Sequence, residues 1–120
     1  MGGGGLNGAI REPTGPVAAG DRPALTRGFA VMSHDSGHQS QAVFDAAFMA
    51  DQRATLDFAE SSVRTVTLLG KAITQRFYGK AASKSYMTGC STGGREGMLA
   101  SQRYPELFDG IVAGAPAMRT

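Results

Sequence analysis

Gly89-Cys90-Ser91-Thr92-Gly93 centres a serine between two glycines, each two residues away. A serine held on a tight turn between a strand and a helix can attack a carbonyl once a base takes its proton. Gly89 and Gly93 give strand and helix room to approach, and the turn lifts Ser91 clear of the sheet. It also leaves the Thr92 backbone N–H at the start of a helix. There the N–H and the helix's positive end face the charge that develops on an attacked oxygen. A second donor has to come from another loop. The run Gly2-Gly3-Gly4-Gly5 is the candidate, because Gly3, Gly4 and Gly5 offer unhindered N–H groups. The competing reading is a structural helix entry with Ser91 as a cap. A phosphate loop is disfavoured, since neither glycine cluster leads into Gly-Lys-Ser/Thr.

Ser91 needs a general base and an acid to orient it. In α/β-hydrolases these follow the serine, acid first and histidine second. Here the two histidines, His34 and His38, both precede Ser91, and Asp109 follows it closely, just before another strand. The usual base is therefore absent from these residues. His34 or His38 could stand in for it, because unrelated triads use other chain orders. His34, Asp35 and His38 could also be read as metal ligands, although no helix is predicted to hold an i, i+4 pair there. The plainest reading is a polar loop whose groups bond to one another and to backbone. Arg95 and Glu96 read as surface or packing residues, with substrate contact as the alternative.

The elements that must position these groups follow from periodicity. Residues 1–28 read as a glycine- and proline-rich loop region. Residues 29–33 read as a short buried strand running into the polar loop at 34–38. Residues 42–50 have short helical character around Phe44 and Phe48. Residues 55–77 make the longest helix candidate, with Val63, Val66, Leu69, Ile73 and Phe77 as its apolar face and Asp57 as a cap or a favourable charge at its first turns. Tyr78-Gly79 ends it. Residues 85–88 read as a strand, 94–103 as a helix anchored by Met98 and Leu99 and stopped at Tyr104-Pro105, and 110–114 as the next strand. Alternating strands and helices predict a parallel sheet with crossover helices. Residues 29–120 would be its core, within one domain.

Composition narrows the functional classes. The chain has 120 residues, 42% hydrophobic and 18% charged, which is ordinary for a globular domain. Its net charge of +2 is too weak to argue for nucleic acid or an anionic membrane. The first 60 residues carry 4 basic and 7 acidic groups and the second 60 carry 8 and 3, scattered without the aromatic interleaving of a base-stacking platform. No apolar run reaches the ~18 residues of a membrane span. Met1 is followed by glycines rather than by a basic and then apolar signal. Cys90 is the single cysteine, so no internal disulfide can form.

The run Tyr86-Met-Thr-Gly-Cys-Ser-Thr-Gly-Gly-Arg-Glu-Gly-Met98 resembles the tannase and feruloyl esterase family, as does Ser101-Gln-Arg-Tyr-Pro-Glu-Leu-Phe-Asp-Gly-Ile-Val-Ala-Gly-Ala-Pro-Ala117. Gly3-Gly-Gly-Leu-Asn-Gly8, Arg27-Gly-Phe-Ala-Val, Asp35-Ser-Gly-His38, Asp45, Phe48, Asp57-Phe58 and Tyr78-Gly79 fit the same pattern, so the resemblance spans the chain. It implies an α/β-hydrolase that cleaves esters of aromatic carboxylic acids, such as feruloyl or galloyl esters, with Ser91 as nucleophile. It implies that Cys90 is disulfide-linked to a cysteine beside the catalytic histidine. The catalytic Asp and His, and a lid domain that often holds a structural calcium, would follow residue 120. The fold would then be an incomplete α/β-hydrolase, inactive by itself and needing no cofactor for its chemistry. Its partner would be a small aromatic ester rather than nucleic acid or membrane, and its location secreted or periplasmic. Ser33-His34-Asp35, residues 59–64 and Arg95-Glu96 depart from the family's usual residues and bear on substrate class. An acyltransferase and a non-catalytic binding domain of the same fold are the alternatives.

Overall fold

Two short strands carry the sheet. In the computed structural model, which describes residues 1–14 and 20–119, β1 spans Tyr86–Cys90 and β2 spans Gly110–Gly114. They pair in parallel, from Tyr86 opposite Gly110 to Cys90 opposite Gly114. A parallel pair needs a crossover, and helix α3, Thr92–Arg103, supplies it. Asp109 ties the strand starts together, accepting from Ser85 N–H and from Lys84 Nζ, each at 2.8 Å. This is the parallel sheet with a crossover helix that alternation predicts, as an incomplete α/β-hydrolase core.

The helix seats closely because its inner face is small. Gly97 lies against Ile111 and Ala113, and a Cβ on Gly94 would overlap the Gly114 carbonyl. Met98 and Leu99, expected as anchors, are exposed and half-buried, while Thr92, Gly93, Gly94, Glu96, Gly97 and Ala100 are buried. Long side chains at Gly93, Gly94 or Gly97 would push the helix off the strands and the glycine loop.

The long helical segment before β1 starts earlier than its apolar pattern suggests and is interrupted. Helix α1, Gln52–Leu56, is capped by Asp51, whose carboxylate accepts from Ala54 N–H at 2.8 Å. A π turn, Asp57–Ser61, follows, and then helix α2, Ser62–Tyr78, ends at the left-handed Gly79. Asp57 is therefore not the cap. It pairs with Arg53 at 3.0 Å and accepts from the Ser61 hydroxyl. The apolar face also differs from expectation. Val63 and Gly70 are buried, whereas Leu69, Ile73 and Phe77 are exposed. Helical character at 42–50 reduces to one 3₁₀ turn, Ala47–Ala50.

Residues 29–33 are not a strand. A cavity of about 520 Å³, bordered also by α2, separates them from β1. The first two residues bridge it by hydrogen bonds, the Met1 ammonium donating to Met32 O at 2.7 Å and Gly2 N–H to Thr88 O at 3.0 Å, and the Phe29 ring meets Tyr86 of β1 edge-on at 6.1 Å. Apolar, β-branched residues fit a sheet but do not supply a neighbour at ladder distance. The loop reading at residues 1–28 fits what is described, apart from a 3₁₀ turn at Leu25–Arg27; residues 15–19 lie outside the described residues.

The interior is unusually polar. Among the described residues Phe58, Val63, Met87 and Ala100 are the buried apolar ones, against six buried polar ones, namely His34, Ser36, His38, Ser62, Thr92 and Glu96. The best-buried region thus lies where loops meet the amino end of α3, not beneath α2. Among the described residues no helix is long and apolar enough to cross a membrane.

Candidate active site

Ser91 is the one residue between β1 and α3, and its backbone is strained. Its φ of 58° and ψ of −118° lie where only glycine rests easily. Such a conformation costs roughly 1–3 kcal/mol and persists only when the surroundings fix it. Three hydrogen bonds do so. Ser91 N–H donates to Gly114 O at 3.0 Å, and its carbonyl accepts from Arg95 N–H at 2.9 Å and Ala117 N–H at 3.2 Å. The residue is exposed while Thr92 and Gly93 behind it are buried.

The glycines of the motif make the turn sterically feasible. A Cβ on Gly89 would overlap the backbone of Gly93, and one on Gly93 would lie 2.7 Å from the Gly2 carbonyl carbon. Atoms at Cβ positions do not approach so closely, so both sites exclude every other residue. The two glycine clusters of the sequence are therefore one contact.

That contact brings the predicted donors together. Gly93 N–H donates to Gly3 O at 2.7 Å, and the Thr92 hydroxyl donates to Gly5 O. The loop at residues 2–5 is thus fastened beside the elbow. Among the described residues no backbone carbonyl accepts from the N–H of Thr92, Gly3, Gly4 or Gly5. An oxyanion near Ser91 would meet unspent amide hydrogens at the positive end of a 12-residue helix.

Behind this surface lies a buried polar relay. Glu96 is fully buried. Its Oε1 accepts from Ser36 Oγ at 2.9 Å, and Ser36 Oγ accepts from Asn7 Nδ2 at 2.9 Å. Asn7 Nδ2 also donates to His34 O at 2.7 Å. Ser36 N–H donates to His34 Nδ1 at 3.1 Å, which assigns the proton of neutral His34 to Nε2, 3.6 Å from Glu96 Oε2. Burial lowers the His34 pKa, and Glu96 opposes that shift. Burial likewise lowers the pKa of Arg95 and of the Met1 ammonium, again against Glu96.

Neither histidine is brought to Ser91. His34 accepts from Ser36 N–H and faces Glu96 Oε2 at 3.6 Å. His38 stacks on Phe48 with centroids 3.7 Å apart and meets Phe58 edge-on, and its two ring nitrogens are buried without partners. The polar-loop reading of 34–38 fits His34 and Asp35, whose carboxylate accepts from Gly37 N–H at 3.0 Å, but not His38. Among the described residues no three His, Cys, Asp or Glu side chains converge as metal ligands.

One expectation is corrected. Cys90 is free and exposed and is the chain's only cysteine, so the disulfide implied by resemblance is not possible here. Of the readings of Glu96, packing is the one the structure matches, since the residue is fully buried. Its position had a signal: it falls inside the stripe Gly93, Gly97, Ala100, whose small residues mark the helix face against the sheet. Arg95 also does more than its exposure suggests. It donates to Phe58 O at 2.8 Å and Ala59 O at 3.2 Å and lies 4.4 Å above the Phe58 ring. Those carbonyls belong to the π turn, where the widened ladder leaves acceptors free.

Comparisons with known proteins place this geometry in context. The family described as "Tannase and feruloyl esterase" matches residues 1–120. The chain is 48% identical over 122 residues to a mono(2-hydroxyethyl) terephthalate hydrolase of Piscinibacter sakaiensis, covering 96% of this chain and 20% of that protein. It is 42% identical over 118 residues to a probable feruloyl esterase B-1 of Aspergillus terreus, covering 98% and 21%. The crystal structure of feruloyl esterase B from Aspergillus oryzae superimposes with a TM-score of 0.77 at 35% identity, over 97% of this chain and 22% of that one. The chain spans about a fifth of the length of the relatives it matches.

Proposed function

The chain belongs to the tannase and feruloyl esterase family, and on that premise we propose that it carries the nucleophile and oxyanion donors of a carboxylic ester hydrolase. The observation that carries the reading is Ser91 itself: an exposed hydroxyl on a strained strand-to-helix turn, with the loop at residues 2–5 fastened beside it.

Ser91 Oγ attacks the ester carbonyl carbon and gives its proton to a histidine from outside residues 1–120. The carbonyl π pair moves onto oxygen, where the N–H of Thr92 and of one of Gly3, Gly4 or Gly5 accommodates the charge. The tetrahedral adduct collapses, the C–O bond to the alcohol breaks, and the histidine protonates the leaving alkoxide. Water then attacks the acyl-Ser91 ester in the same manner and releases the acid. The acid is aromatic, in line with the substrates named for the relatives, a terephthalate half-ester and feruloyl esters.

The test is a chimera in which this chain replaces the matching residues of the Piscinibacter sakaiensis hydrolase. A fluorophosphonate probe is expected to label it at Ser91, and it is expected to hydrolyse the host's terephthalate half-ester, with both lost in Ser91→Ala. A folded chimera whose labelling is unchanged by Ser91→Ala overturns the proposal.

A further inference from the structure

We propose that Glu96 is the positioning residue that holds the oxyanion loop against the nucleophile, an inference that rests on the reading of Ser91 above. The carboxylate is fully buried, one turn into the helix that Ser91 begins, and it touches both loops that pack against that helix. Through Oε1 it holds Ser36, and through Ser36 it holds Asn7, which ends the glycine loop. Oε2 lies where a Cβ on Gly2 would overlap it, and it faces His34 Nε2 at 3.6 Å. Gly2, Asn7, His34 and Ser36 are thus referenced to one side chain on α3.

Burying a carboxylate is costly, and among the described residues no arginine or lysine pairs with Glu96 directly. A methionine or leucine would fill a similar volume without it. What the carboxylate adds is direction. It fixes the Ser36 hydroxyl, which then receives the Asn7 amide, so the loop at residues 2–5 has one height relative to the elbow. Loop placement matters because an oxyanion donor acts only within hydrogen-bond reach of the oxygen, and losing one slows turnover about 10²–10³-fold. The groups that hold the loop through backbone, Gly93 N–H to Gly3 O and the Thr92 hydroxyl to Gly5 O, secure its contact but not its tilt.

The experiment uses the chimera described above. In Glu96→Ala, kcat is expected to fall about 10- to 100-fold with KM changed less than about twofold, because substrate binding makes no use of the donors before attack. Affinity for an arylboronic acid, whose serine adduct places a negative oxygen at the donors, is expected to fall in parallel with kcat. Glu96→Gln keeps the acceptor for Ser36 but turns its NH2 towards His34 Nε2–H, and is expected to recover kcat in part, at least about threefold above Glu96→Ala. If Glu96→Ala does not fold, Ser36→Ala breaks the same relay outside the helix and is expected to lower kcat about tenfold at unchanged KM. Unchanged kcat in folded Glu96→Ala or Ser36→Ala, with Ser91 still labelled, overturns the positioning role alone. An unsubstituted chimera that folds without Ser91-dependent labelling overturns the acyl-enzyme reading and this inference with it.

Discussion

Gly93 donates its backbone N–H to the carbonyl of Gly3 at 2.7 Å, joining the first turn of α3 to the glycine loop near the amino end. Gly93→Ala should gain up to about 1 kcal/mol from helix propensity but force the new methyl against Gly2. Backbone overlap of this kind typically costs 1–3 kcal/mol or more, so the steric loss is expected to win. Thermal unfolding should show a midpoint lowered by several degrees; an unchanged midpoint would falsify the close contact.

Ser91 supports a second prediction, because its conformation penalises any side chain. Ser91→Ala removes the hydroxyl but keeps the strain, whereas Ser91→Gly removes both. The glycine variant should be the more stable of the two by about 1 kcal/mol, net of glycine's larger unfolded-state entropy. Denaturant titration of the pair measures this, and equal midpoints would show that the turn relaxes.

His34 predicts the pH response. Its folded pKa is lowered by burial, so the folded state favours the neutral ring more than the unfolded chain does. The stability this provides is complete above the unfolded value of about 6.5 and is lost as pH falls through it towards the lower folded value. Between those two values the slope approaches about 1.4 kcal/mol per pH unit. His34→Asn should flatten the fall in melting temperature between pH 7.5 and 5.5, and an identical slope in both proteins would contradict the assignment.

Arg95 predicts that charge alone is insufficient. Lysine keeps the cation but cannot bridge Phe58 O and Ala59 O while lying flat on the Phe58 ring. Arg95→Lys is expected to destabilise by about 1–2 kcal/mol. The amides of the π turn should also exchange with deuterium faster, relative to those of α2. Uniform acceleration across both would instead mean global loosening.

The elements legible in the sequence were those defined by their own residues. The elbow and the strand Gly110–Gly114 are local: glycine spacing and an apolar run determine them, and the structure matches both. Residues 29–33 carry the same apolar signal, yet a strand also needs a paired neighbour, which no local pattern encodes. Leu69, Ile73 and Phe77 have ideal helical spacing but face outward, because periodicity identifies a face without identifying what covers it. For Glu96 the sequence left surface, packing and substrate contact open, and the structure selects packing. A charged residue defaults to the surface unless its companions are weighed, and here they are Gly93, Gly97 and Ala100.

The tightest part of the join between elbow and loop is made by backbone atoms, Gly93 N–H on Gly3 O and the Gly93 Cα against Gly2. A side-chain contact can be mended by altering its partner's size or polarity; a carbonyl and a Cα offer no such adjustment. Homologues that exchange segments by recombination should therefore retain activity only when residues 2–5 and 89–94 are inherited from the same parent or already share one backbone path. Libraries of shuffled relatives would carry this as a linkage between two distant stretches, each of which looks freely variable apart from its glycines.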